Sequence, residues 1–112
     1  MTEHEIARRV PRYAFAIDAA LTDTLNKTQM KVRTTTLGLY GCGVAASKSL
    51  AQGTGVKVKL FHRGAEVKAL GIVAYVRVDL DMGIAFTEID RESERILSIW
   101  IAELQQSSSR KP

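Results

Sequence analysis

Residues 13–21 place Phe15, Ile17, Ala19 and Leu21 at alternate positions, and this period of two predicts a half-buried β-strand. Asn26 and Lys27 mark a turn, and residues 30–37, rich in valine and threonine, predict a second strand. A glycine-rich stretch follows, with Gly38, Gly41 and Gly43 set around Tyr40 and Cys42, and then a short strand is expected at 44–46. After the polar residues 48–55, Val56, Val58 and Leu60 alternate with Lys57 and Lys59. Arg63 and Gly64 read as a hairpin turn before a long strand over 67–78. Gly71 lies inside that strand, where a glycine predicts a bulge or a bend of the kind that closes a barrel. Residues 79–82 read as one more turn before a last strand, 83–89.

The period then changes. Asp90 suits an N-cap, and Glu92 and Glu94 suit the positive end of a helix. Leu97, Trp100, Ile101 and Leu104 recur at helical spacing, with Ile96 widening the stripe. The only apolar surface that can cover this stripe is the sheet. The pattern therefore predicts a mainly all-β fold of about six short antiparallel strands and one C-terminal α-helix, with barrel closure removing the exposed edges. Residues 1–12 are expected to form a flexible arginine arm, 13–106 the barrel with its helix, and 107–112 a disordered tail.

Composition adds bounds. The 112 residues suffice for one domain with one core, leaving no room for a second, catalytic domain. No apolar run approaches the roughly 20 residues that span a bilayer. The first nine residues carry two acids and no apolar core, so no secretory signal is expected. Cys42 is the single cysteine, which excludes an internal disulfide and points to a reducing cytoplasm. Sixteen basic against twelve acidic residues give a net charge of +4, which favours anionic partners. The basic residues gather early, in Arg8, Arg9 and Arg12, and the acids late.

Those three arginines are the first candidate chemistry. Pro11 keeps the arm from being helical and holds Val10 extended. A guanidinium pairs bidentately with phosphate or with the guanine O6/N7 edge, so three on one arm suit a compact, multiply charged purine ligand. A merely solvated basic terminus explains the same residues. The glycine-rich stretch has two readings as well: a phosphate cradle, or a turn that needs positive φ at one or two glycines. A strand follows it rather than a helix, and it lacks the Lys-Ser/Thr of a nucleotide-binding P-loop. Catalysis finds no support. His4, His62 and Cys42 have neither metal-ligand spacing nor an activating neighbour, and Trp100 falls on the core stripe.

The order of these features resembles the PilZ domain, a family of bacterial receptors for cyclic di-GMP. The resemblance runs over nearly the whole chain: an Arg-x-x-x-Arg arm (Arg8 to Arg12), a glycine-containing loop after the second strand, a late Gly-Ile-Ala-Phe (Gly83 to Phe86), and a C-terminal helix. It implies a six-stranded antiparallel PilZ-type β-barrel with a helix at one end, no enzymatic activity and no cofactor. It implies cyclic di-GMP as ligand, bound singly or as an intercalated dimer, with Arg8, Arg9 and Arg12 clamping it. The family's loop reads Asp/Asn-x-Ser-x-x-Gly. Aligning its last glycine on Gly43 puts Gly38 at the acidic position and Tyr40 at the serine, so both polar side chains differ. Gly43 would admit close backbone approach and Tyr40 could stack on a guanine. The expected function is that of a cytoplasmic receptor or adaptor in second-messenger signalling, with an unidentified protein partner, as a monomer or weak homodimer. The alternative is a degenerate PilZ domain that no longer binds the nucleotide and serves as a protein-interaction adaptor in motility or surface attachment. A barrel for single-stranded nucleic acid needs exposed aromatic platforms. Aromatics are 6% of this chain, and Phe15, Phe86 and Trp100 fall at core positions, so neither DNA nor RNA is expected as a partner.

Overall fold

A computed structural model describes residues 11–45 and 48–109. Seven strands precede one helix: β1 (Tyr13–Ala14), β2 (Asp18–Asp23), β3 (Gln29–Gly38), β4 (Gly41–Ala45), β5 (Gly55–His62), β6 (Ala65–Arg77), β7 (Asp81–Ile89) and α1 (Arg91–Ser109). Every pairing is antiparallel. The ladder runs β3-β2-β5-β6-β7-β4, and β4 pairs back onto β3, which closes a six-stranded barrel. The alternating valines and leucines of the sequence fill it. Leu21, Leu37, Val56, Leu60, Val73 and Ile84 are wholly buried, and Lys57 and Lys59 point outward.

The strand expected over 13–21 is broken in two. Tyr13 opposes Leu37 and Asp18 opposes Arg33, so five steps along β1–β2 match four along β3, a one-residue bulge. The buried Thr34 stitches the break: its hydroxyl accepts from the Ile17 N–H and donates to the Phe15 carbonyl. Thr35 is the extra residue on the other side of β3, against β4. The Thr34–Thr36 run thus bends β3 rather than simply extending it.

Gly71 behaves as its position predicts. The β6–β7 register shifts between Leu70 and Gly71, and a methyl group on Gly71 would lie 2.6 Å from the Ala85 carbonyl oxygen. Arg63 and Gly64 both have positive φ (52° and 77°), the type I′ hairpin geometry that matches strand twist. Two other expected boundaries move. The strand expected at 44–46 begins at Gly41, with residue 46 outside the described residues, and the turn before β7 ends earlier, since β7 starts at Asp81.

Helix α1 closes one end of the barrel, and its backbone continues past residue 106 to Ser109. Leu97, Trp100 and Ile101 form its buried stripe. The Trp100 ring meets His62 edge-on at 5.3 Å, and His62 meets Phe15 at 4.9 Å, so His62 is an aromatic spacer between barrel and helix. Among the described residues no helix is long and apolar enough to cross a membrane, and no cluster of side chains could hold a metal ion.

Asp90 is the N-cap. Its carboxylate accepts from the Ser93 N–H at 2.7 Å and from the Ser93 hydroxyl at 3.0 Å, and that hydroxyl accepts from the Lys68 N–H of β6. Those bonds from Ser93 hold the Asp90 carboxyl below the usual carboxylate range. The unfolded chain therefore takes up this proton first as pH falls. The stabilisation is complete above the ordinary aspartate pKa of about 3.9 and is lost as pH drops through the lower folded value. Asp90→Asn caps comparably without that titration. Its melting temperature, followed by circular dichroism, should fall less on acidification than that of the parent, and coincident acid limbs would show that the cap is not the titrating group.

Candidate functional site

The glycine-rich stretch is a tight hairpin. Gly38 and Gly41 form its closing pair, and Leu39 and Tyr40 make the two-residue turn between β3 and β4. The Tyr40 carbonyl accepts from the Phe86 N–H at 2.8 Å, tying the turn to β7. The expectation of positive φ here is overturned, because Gly38, Gly41 and Gly43 all lie outside the left-handed region. Proximity is the reason for glycine at these positions. A methyl group on Gly38 would lie 3.1 Å from Arg12 Cγ and from the Pro11 carbonyl oxygen. On Gly41 it would collide with the Ile84 carbonyl oxygen and lie 2.9 Å from Arg12 Nη2.

Arg12 therefore lies across the Gly38–Gly41 pair, in a notch that any side chain would fill. The structure brings together Arg12, the last residue of the arginine arm, and the glycine loop, which are separate in sequence. Arg12 is half-buried there and has no ion pair among the described residues. Its neighbour Cys42 is fully buried. Desolvation pushes that thiol up to about 12, with the Arg12 charge acting in the opposite direction, so Cys42 is an inert core side chain at neutral pH.

Small residues continue the sheet beside the notch: outward positions of β4 and β7 are Gly41 opposite Ala85 and Gly43 opposite Gly83. Neighbouring side chains cover them, so all four are buried. At the far edge of these positions the Tyr75 ring lies over Gly83, its register partner across β6–β7. Gly43 does not face Arg12. A methyl there would lie 2.7 Å and 2.9 Å from the Thr35 and Thr36 hydroxyls, and its N–H donates to Thr36 Oγ1 at 3.1 Å. Tyr40 stands at the turn with its ring exposed. Arg8 and Arg9 lie outside the described residues. Sequence reasoning passed over Gly41, Thr36 and Tyr75 as parts of this surface. The pairing of Tyr75 with Gly83 crosses a bulge, and no sequence period reveals it.

A search of curated protein sequences finds no match. Solved structures share the fold at low identity. The Bacillus subtilis inhibitor of motility (MotI/DgrA) superposes with a TM-score of 0.76 at 13% identity, over 93% of this chain and 53% of that one. This chain thus spans about half the length of that protein. The PilZ domain with c-di-GMP of YcgR from Escherichia coli gives 0.71 at 16% identity, over 90% and 93% of the two chains. The PilZ domain of CeSA from a cellulose-synthesising bacterium gives 0.67 at 14% identity, over 85% and 98%. The sequence profile of the PilZ domain matches residues 7–103, the barrel and most of the helix included, and the chain belongs to the PilZ domain family.

Proposed function

We propose that the chain is a non-catalytic cyclic di-GMP receptor module in which Arg12 and the glycine hairpin form one ligand surface. The observation that carries this reading is a guanidinium with no ion pair among the described residues, laid over two glycines, next to sheet positions held by Gly43, Gly83 and Ala85. A flat, doubly phosphorylated purine ligand needs that combination. Arg12 supplies a bidentate cation, the glycines let it lie close to the backbone, and Tyr75 and Tyr40 offer rings for stacking. Arg8 and Arg9 would complete the clamp. The geometry also suggests another register for the family's loop. Gly41, not Gly43, meets Arg12, and counting Asp/Asn-x-Ser-x-x-Gly back from Gly41 puts Thr36 at the acidic position and Gly38 at the serine. Thr36 keeps a hydroxyl there.

Calorimetric titration of the full chain with cyclic di-GMP, with GTP as control, tests the reading and reports whether one ligand or a dimer binds. Arg12→Ala should weaken binding about ten- to a hundredfold, the value of one good bidentate contact (about 1–3 kcal/mol). Equal affinity for GTP, or an unchanged Arg12→Ala variant, would count against it.

A second reading has its own support. Neither Gly38 nor Gly41 offers a polar side chain, and Arg12 itself fills the notch. A folded chain that evolves no heat with cyclic di-GMP would instead be an adaptor acting through protein contacts, a role consistent with its likeness to an inhibitor of motility.

A further inference from the structure

Strand β4 stops short of β7. Its last partner on β7 is Ala85, opposite Gly41, yet β7 continues to Ile89. The Tyr40 carbonyl takes the Phe86 N–H, and beyond that point the β4-side edge of residues 87–89 has no strand neighbour among the described residues. Here a groove of about 450 Å³ opens between the hairpin turn, the end of β7 and the first turns of α1. That size is typical of ligand-binding clefts.

The lining has a definite chemistry. Phe86 and Leu97 are apolar, and Leu39 and Tyr40 stand at the mouth, 37% and 48% exposed. Its two charged side chains, Glu88 and Glu94, are both exposed, and neither has an ion pair among the described residues. No lysine or arginine lines it, although the chain as a whole carries +4. Unpaired strand edges are templates for another strand, and specificity then comes from alternate side chains entering pockets.

We infer that this groove is a docking site for an extended segment of a partner protein, one that alternates large apolar residues with lysine or arginine. The segment pairs with β7 where β4 ends, sets its apolar side chains against Phe86 and Leu97, and places its cations by Glu88 and Glu94. An acidic or helical segment fits less well: the first meets two carboxylates, and the second leaves the β7 edge unpaired. The groove shares Tyr40 and Ala85 with the surface beside the Arg12 notch, but the inference does not rest on nucleotide binding there.

The test is a nuclear magnetic resonance titration of the full chain, without nucleotide, using three short capped peptides. One alternates valine and lysine, one alternates valine and glutamate, and one is the valine–lysine peptide with its backbone amides N-methylated on the pairing edge. The valine–lysine peptide should shift the amides of residues 39–40, 86–89 and 94–98 saturably, and more weakly at high salt. The glutamate peptide should not. N-methylation, and the combined Glu88→Lys and Glu94→Lys substitution, should each weaken binding about tenfold or more. Glu88→Gln with Glu94→Gln keeps side-chain size and should give an intermediate loss, which separates charge from misfolding. No saturable shift, shifts confined to another surface, or equal binding of the two charge patterns would overturn the inference.

Discussion

Trp100→Ala should destabilise the fold by about 3–5 kcal/mol, the range for removing a buried tryptophan. Trp100 is 5% exposed and stands between Leu97 and Ile101 on the buried stripe that packs α1 against the barrel. Its ring contacts His62, which in turn contacts Phe15 at the β1–β2 break, so truncation leaves a hole at the closed end of the barrel. A lone helix of this kind gains little from propensity and depends on its buried face. The loss should therefore appear in urea denaturation, followed by far-ultraviolet circular dichroism, as a lower midpoint. Trp100→Phe keeps an aromatic edge toward His62 and should lose less. A Trp100→Ala midpoint close to that of the parent would mean that the helix is an appendage rather than part of the core.

Gly41→Ala should cost nearly as much, toward the upper end of the 1–3 kcal/mol typical of overpacking. The added methyl collides with the Ile84 carbonyl oxygen, which belongs to the β4–β7 ladder and cannot turn aside. The three hairpin glycines separate on this argument. At Gly43 the obstacles are two threonine hydroxyls, which can rotate, although Thr36 Oγ1 then loses its bond from the Gly43 N–H. At Gly38 one of the two nearest atoms belongs to the flexible stem of Arg12, at 3.1 Å. None has positive φ, so alanine also gains about 0.4–1 kcal/mol by restricting the unfolded chain. The expected order of destabilisation is Gly41, then Gly43, then Gly38, with Gly38→Ala near neutral. Denaturation midpoints of the three variants check it, and a Gly38→Ala that costs more than Gly41→Ala would contradict this account of the notch. Gly41→Ala should also displace the Arg12 guanidinium and so weaken any ligand held by it.

Much of this architecture was legible in sequence, because it follows from local periodicity. The alternation of Val56, Val58 and Leu60 against Lys57 and Lys59 settles which face of β5 is buried, since a strand has only two faces. Asp90 as cap and the stripe at Leu97, Trp100 and Ile101 likewise determined the helix and its buried side. Gly71 announced the bulge in β6. The arginine arm and the order of elements were enough to indicate the family.

What only the tertiary structure decided is which distant residues share a surface. Thr34–Thr36 read as ordinary strand, because a bulge is a mismatch in count between two strands and neither strand alone contains it. The glycines of the hairpin read as turn formers, because their real constraints, the Ile84 carbonyl and the Arg12 side chain, come from residues far along the chain. For the same reason the contact of Arg12 with Gly41 rather than Gly43, and the groove where β7 outruns β4, had no trace in sequence. Periodicity determines what a residue does to its own element. Close approach between elements depends on register and closure, and these exist only once the barrel has formed.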